Sequence, residues 1–283
     1  MLSFYWHYYL ISFVFFLLIR FLLSFARVKS KVLTYEEAIN HVSEEEENEC
    51  SGNDDKSAWQ LGLNCQHVPL QFKRYSKSES LTRSEEYYEL MNKRRTVRHF
   101  SKESVPIEVI HNVIKTAGTS PSGAHTEPWK FVIVKSQTIK EQIRQIIESQ
   151  EEINYKKRMG KEWVDDLKFL RTYWVKEYIT DAPYLILVFK QTYSVDANGK
   201  KQMHYYSEQS VNIAAGILLT AIHYAGLVAL TSTPLNCGPA IKVLLQRPAE
   251  EKLALLLPVG YPNDDCVVPD IKRKALEELA VVH

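Results

Sequence analysis

The chain has 283 residues, 45% of them hydrophobic and 24% charged, which excludes wholesale disorder and allows one large domain or two small ones. A net charge of +1 gives no general argument for nucleic-acid binding. Cys50, Cys65, Cys237 and Cys266 form no CxxC pair or zinc-ligand spacing, so no metal site is expected, and a reducing compartment is a simpler reading than a disulfide scaffold.

Residues 3–25 are almost all apolar, long enough for a spanning helix of about 20 residues. Tyr5, Trp6, Tyr8 and Tyr9 cluster at one end like an interfacial belt, and Arg20 lies near the other end, where it can snorkel. A cleaved signal peptide is the rival reading. The run is long for that, lacks a basic leader and is followed by no clear cleavage site, so residues 1–25 are read as a signal anchor. Arg27, Lys29 and Lys31 follow while no Lys or Arg precedes, which places the rest of the chain in the cytoplasm by the positive-inside rule. Residues 26–67, with Glu44 to Glu47 and Asp54-Asp55, read as a flexible acidic linker. No Asn-x-Ser/Thr acceptor is present, in keeping with a non-lumenal domain over 68–283.

Ser84 to Met91 reads as a helix leading into Lys93-Arg94-Arg95-Thr96-Val97-Arg98-His99-Phe100. If that segment is extended, Arg94, Thr96 and Arg98 share one face and offer two guanidinium forks and a hydroxyl to one anion. A solvated basic patch is the bland alternative.

Ser104 is a candidate N-cap for a helix through Ile107, Ile110, Ile114 and Ala117, stopped by Gly118. The loop Pro121-Ser122-Gly123-Ala124-His125-Thr126-Glu127-Pro128 precedes a strand over Trp129–Val134. Ile139, Ile143, Ile146 and Ile147 mark an amphipathic helix. Glu151 and Tyr155 are four apart, so a helix would put them on one face, and Lys176 follows the next helical stretch. On spacing alone these are exposed residues of a charged helix.

Pro183 to Phe189 is wholly apolar, a central buried strand. Ser210 to Ala225 is apolar nearly all round, a helix packed on both sides. Leu227 to Leu230 and Leu253 to Val259 complete a sheet, separated by Thr231-Ser232-Thr233-Pro234-Leu235-Asn236-Cys237-Gly238-Pro239. His125, His204 and His223 show no HExxH-type pattern, and Cys237 has no paired histidine and reads as structural. The class is α+β, helices covering a mixed central sheet. No GxGxxG or Walker-type loop is present, so any bound phosphate must be held mainly by side chains.

Taken together and in this order, Arg94-Arg95-Thr96-Val97-Arg98, Pro121 to Trp129, Thr231 to Pro239, Pro258-Val259-Gly260-Tyr261-Pro262 and Lys272-Arg273-Lys274 resemble the FMN-dependent nitroreductase superfamily, and within it the iodotyrosine deiodinases. The resemblance spans about residues 68 to 280. It implies a nitroreductase-like fold, a domain-swapped homodimer with FMN at the interface, and NADPH-dependent reductive dehalogenation of mono- and diiodotyrosine to tyrosine and iodide, with NADPH acting directly or through an electron-transfer partner.

By the same resemblance, Arg94, Arg95 and Thr96 hold phosphate and ribityl groups with Arg273. Val97 belongs to the cofactor segment, and Arg98 approaches the N1/O2 edge. Pro121, Ser122 and Gly123 lie against the flavin ring, reaching the partner's cofactor, and Thr231, Ser232 and Thr233 complete the set. Thr233 donates its hydroxyl to flavin N5 and is the catalytic candidate, favouring single-electron steps over hydride transfer. This chain has Ser232 where threonine is frequent in the family and Thr96 where serine is common, and both keep the hydroxyl.

Glu151 would take the ammonium of a zwitterionic substrate, Lys176 its carboxylate and Tyr155 a further contact, while the Ala124 backbone would meet the phenolate. The stretch 151–176 is then a lid that orders on substrate. Two other functions suit parts of the pattern. A general nitro or quinone reductase would be indifferent to the zwitterion, and a membrane-associated regulatory subunit could keep the flavin fold as a platform.

Overall fold

The computed structural model describes residues 67–195 and 199–283. The expected anchor (1–25) and the linker up to residue 66 lie outside the described residues. Among the described residues no helix is long and apolar enough to cross a membrane.

Four strands form the central sheet: β1 (Trp129–Val134), β2 (Tyr184–Gln191), β5 (Val228–Ala229) and β6 (Glu251–Gly260). Their order is β1-β2-β6-β5, and each pair is antiparallel. Thr96 joins the free edge by pairing in parallel with Ala229, so the arginine segment makes the sheet mixed. A separate hairpin joins β3 (Tyr193–Val195) to β4 (Lys201–Met203).

Strand β2 explains the layering. Its residues Tyr184 to Phe189 are all buried, and a strand sends successive side chains to opposite faces. Leu185, Leu187 and Phe189 pack on one side with Ile143 and Ile147 of α3 (Gln137–Ile153), Ile179 of α5 (Tyr178–Asp181) and Ile241 of α7 (Gly238–Leu244). Tyr184, Ile186 and Val188 pack on the other with Ile110 and Val113 of α2 (Ile107–Gly118) and with Val211, Leu218 and Ile222 of α6 (Ser207–Tyr224). Each such side chain contributes roughly 1.5–3 kcal/mol by leaving water, so the two-sided burial of one strand fixes a helix–sheet–helix sandwich. The remaining helices are α1 (Lys77–Asn92), α4 (Lys161–Leu167) and α8 (Leu276–Leu279).

Several boundaries differ from the sequence expectation. The N-cap of α2 is Pro106 without a side-chain cap, not Ser104, because Val105 is drawn into the core and holds the chain extended through Pro106. Helix α6 is not packed on both sides within one chain: Asn212, Ile213 and Gly216, one face at helical spacing, are exposed. The β3–β4 hairpin, α7 and a five-residue π turn (Asn154–Arg158) were not expected. None of them carries a periodic apolar pattern long enough to read.

Candidate functional site

The arginine segment is extended, anchored by buried Val97 and Phe100 and by the Val97 N–H donating to the Ala229 carbonyl at 3.2 Å. That pairing leaves the guanidinium groups along the sheet edge. Arg273, 179 positions downstream of Arg94, folds back and donates to the Arg94 carbonyl at 3.1 Å and to Asn92 Oδ1 at 3.1 Å. Arg95 donates to the Pro269 carbonyl. Burial, then the neighbouring Arg273 and Arg95 charges, lower the pKa of Arg94. Among the described residues, no carboxylate lies within ion-pair distance of Arg94, Arg95, Arg98 or Arg273. Guanidinium donors gathered without an anionic partner suit an oxyanion such as a phosphate ester.

Downstream of β5, Ser232 pairs with Leu256 by two backbone hydrogen bonds of 2.9 and 2.8 Å. This pins the middle of Thr231-Ser232-Thr233 and leaves the flanking threonines exposed. Thr233 lines a cleft of about 480 Å³ together with Pro234, Leu253 and Glu251.

The end of α3 brings the substrate candidates together. Glu151 Oε2 lies 3.3 Å from Lys176 Nζ, and the two side chains are only 14% and 8% exposed. Lys176 Nζ sits 5.4 Å from the centroid of the Tyr155 ring. The Lys176 backbone N–H donates to Glu148 at 2.6 Å, which ties the far end of the 151–176 stretch to the same helix. Burial lowers the pKa of Lys176 while the adjacent Glu151 opposes the shift. Burial and Glu151 together raise that of Tyr155. The pKa of Arg98 is lowered by burial, with the nearby Tyr178 and Tyr155 opposing the shift. The rings of Trp163 and Trp174 stand edge-on to Tyr155, at 5.0 and 6.1 Å between centroids. A cavity of about 330 Å³ runs between the Thr96–Arg98 edge, Phe169 to Arg171, and the loop Val267 to Asp270.

The loop from Pro121 to Ala124 stands elsewhere in the chain. The Gly123 N–H donates to Ser210 Oγ at 3.3 Å, at the beginning of α6. A Cβ on Gly123 would come within 2.7 Å of the Tyr205 carbonyl oxygen, so the close approach requires glycine. Ala124, His125 and Glu127 all have positive φ, at 48°, 55° and 44°. Such backbone costs energy and concentrates where a loop is shaped for a ligand or a partner. Arg94 and Arg95 instead border His223 and Ile222 near the other end of α6. Ser210 and His223 are thirteen residues apart on that helix, so the two candidate regions are separated by about 20 Å within one chain.

Asn154, Tyr178, Glu148 and the Pro269 carbonyl belong to this neighbourhood and carried no readable signal. Asn154 and Tyr178 look like ordinary helix residues until the π turn and the 176–178 corner place them inside. Cys237 is buried with its thiol pushed up to about 11 by desolvation, in keeping with a structural residue. Among the described residues no group of three or more His, Cys, Asp and Glu side chains could hold a metal ion.

Comparison with known proteins is in line with this geometry. The Nitroreductase family model matches residues 91–261. Iodotyrosine deiodinase 1 of Mus musculus is 60% identical over 229 residues, 81% of this chain and 80% of the mouse protein. Iodotyrosine deiodinase of Danio rerio is 62% identical over 219 residues, 77% of this chain and 74% of the fish protein. A crystal structure of oxidized iodotyrosine deiodinase bound to FMN and 3-iodo-L-tyrosine matches with a TM-score of 0.58 and 36% identity, over 70% of this chain and 97% of that one. An α+β sheet that carries an arginine edge and a buried Glu–Lys pair, with identity of this depth over most of both chains, places the protein in the nitroreductase family and, within it, among the iodotyrosine deiodinases.

Proposed function

We propose that this chain carries out reductive dehalogenation of halotyrosines, taking mono- and diiodotyrosine to tyrosine and iodide. The observation that carries the reading is the buried Glu151–Lys176 pair at 3.3 Å beside Tyr155 and Arg98. A free amino acid is a zwitterion, and these are its complementary charges, held where water is scarce and electrostatic contacts are strong. Glu151 takes the ammonium, Lys176 the carboxylate, and Tyr155 adds a hydroxyl contact. The Ala124 N–H stabilises the phenolate oxygen.

FMN, when bound, supplies two electrons. The reaction consumes these and one proton: the C–I bond breaks with its electron pair leaving on iodide, and the ring carbon gains hydrogen. Arg94, Arg95, Thr96 and Arg273 hold the phosphate and ribityl groups, a role their unneutralised guanidinium cluster suits. The extended Val97 backbone sets their spacing. Arg98 would supply positive charge at the pyrimidine edge, and Thr231, Ser232 and Thr233 would supply hydroxyls on the ring side, with Thr233 the candidate donor to N5. NADPH, directly or through a reductase partner, is the proposed electron source.

The working form is a domain-swapped homodimer in which Pro121, Ser122, Gly123 and Ala124 serve the partner's cofactor. Two features support this. The loop is about 20 Å along α6 from the arginine edge of its own chain. The α6 face at Ile213 and the arm bearing Val68, Leu70 and Phe72 are exposed apolar surface in one chain. The reading is completed by a membrane anchor over residues 1–25, a linker over 26–67 and a cytoplasmic catalytic domain over 68–283.

The test loads purified full-length protein with FMN, titrates 3-iodotyrosine and diiodotyrosine by quenching of flavin fluorescence, and measures iodide released with dithionite. Tight quenching with iodide release is expected. Flavin binding without halotyrosine binding would replace this reading by a general nitro or quinone reductase. Failure to take up FMN would remove the role of Arg94 to Arg98.

A further inference from the structure

Glu151 does not hold its orientation by pairing with Lys176 alone. Its other oxygen, Oε1, accepts a hydrogen bond of 3.1 Å from Asn154 Nδ2. The Asn154 side chain is 1% exposed, although it belongs to a helix whose outer face is charged. Its own oxygen, Oδ1, accepts from Arg158 Nη1 at 3.2 Å, and the same nitrogen donates to Gln150 Oε1 at 3.1 Å. These partners fix which way the amide points. A guanidinium only donates and an ionised carboxylate only accepts, so Oδ1 must face Arg158 and Nδ2 must face Glu151.

The backbone makes this chain of contacts possible. Helix α3 ends at Ile153 and continues as the π turn, in which the Met159 N–H bonds the Asn154 carbonyl at 2.9 Å, five residues back. Widened turns of this kind recur at functional sites, since the extra residue redirects neighbouring side chains. Here the turn begins at Asn154, with Glu151 three residues before it and Arg158 four after.

We propose that Asn154 is a positioning residue of the substrate site: it locks the Glu151 carboxylate, so that Oε2 is presented to Lys176 and, when substrate enters, to its ammonium. The proposal rests on the reading that Glu151 and Lys176 bind the zwitterion. A glutamate left free to rotate would have to give up rotamer freedom on every binding event, and the lock removes that cost beforehand. The expected consequence is selective. Losing the lock weakens ligands that carry the amino-acid head group and spares those that do not.

The experiment uses FMN-loaded full-length protein and measures equilibrium binding of 3-iodotyrosine and of 2-iodophenol, which lacks the ammonium and carboxylate. Asn154→Leu keeps the branching at Cγ and removes both hydrogen bonds. It should weaken 3-iodotyrosine about tenfold, the size of one hydrogen bond to a charged group, and leave 2-iodophenol unchanged. Arg158→Met, at an exposed position, should move the same ratio by a smaller factor and decides the matter if the leucine variant does not fold. Equal weakening of both ligands would mean that Asn154 merely supports the lid, and would overturn the proposal. Unchanged 3-iodotyrosine binding would overturn it as well. Glu151→Gln is measured alongside. If that substitution weakens 3-iodotyrosine while the Asn154 and Arg158 variants do not, only the positioning role fails. If it has no effect, the zwitterion reading fails and the positioning role with it.

Discussion

Substituting Lys176 by Met tests whether the buried pair is a real electrostatic unit. At 3.3 Å and an effective dielectric of about 20, the two charges attract by about 5 kcal/mol. Desolvation of both ions offsets most of that, so the pair as a whole adds little to stability. Removing one partner is different, because it leaves Glu151 as a charge 14% exposed with only Asn154 to satisfy it. Lys176→Met should cost about 3 kcal/mol. For a folded region of this size that lowers the melting temperature by roughly 6–12 °C. Glu151→Gln combined with Lys176→Met should return to within about 1 kcal/mol of wild type, since no charge is then stranded. Urea unfolding of the four proteins, without flavin and followed by tryptophan fluorescence, closes the cycle. Single effects that are small and add to the double would show a pair screened by solvent, and would refute the idea of a dry, preformed clamp.

Arg94→Ala should weaken FMN binding by about tenfold or more, and Arg273→Ala should act on the same phosphate, so that the double substitution costs less than the sum in flavin titrations. Gly123→Ala forces a Cβ against the Tyr205 carbonyl and should cost about 1–3 kcal/mol, read as a drop in melting temperature; an unchanged melt would refute the close approach. Cys237 gives a pH signature. Its folded thiol titrates near 11 against an ordinary 9.0, so the folded state keeps a proton that the unfolded state releases. That contribution is full below pH 9 and is lost as pH rises toward 11, by about 2–3 kcal/mol in all. The stability difference between wild type and Cys237→Ala should shrink over that window in urea melts, and a constant difference would contradict a buried thiol.

What could be read without the fold follows from periodicity and from punctuation. Strand β2 was legible because a strand buried on both faces must be apolar at every position. Helices α2 and α3 were legible because one apolar stripe repeats over several turns, and α6 because a long run is apolar nearly all round. The start of α2 was misplaced where tertiary burial of Val105 overruled a plausible serine cap, while its end at Gly118 was read correctly. The short β5 was legible within Leu227 to Leu230, whereas the β3–β4 hairpin is built from two three-residue strands, too short for a local apolar pattern to record.

The same division runs through the site. The sequence alone determined which groups are available: the arginines from Arg94 to Arg98, the hydroxyls from Thr231 to Thr233, and a Glu, a Tyr and a Lys spread over residues 151–176. Only the tertiary structure decided that Glu151 and Lys176 meet, because the twenty-four residues between them must fold back for Lys176 to reach α3. It also decided that Arg273 returns to Arg94, that Asn154 turns inward at a π turn, and that the loop at Gly123 stands far from the arginine edge of its own chain. Residue type sets what a side chain can donate, accept or neutralise. Which groups face one another is set by loop closure and by packing against the two faces of the sheet, and those are properties of the whole chain.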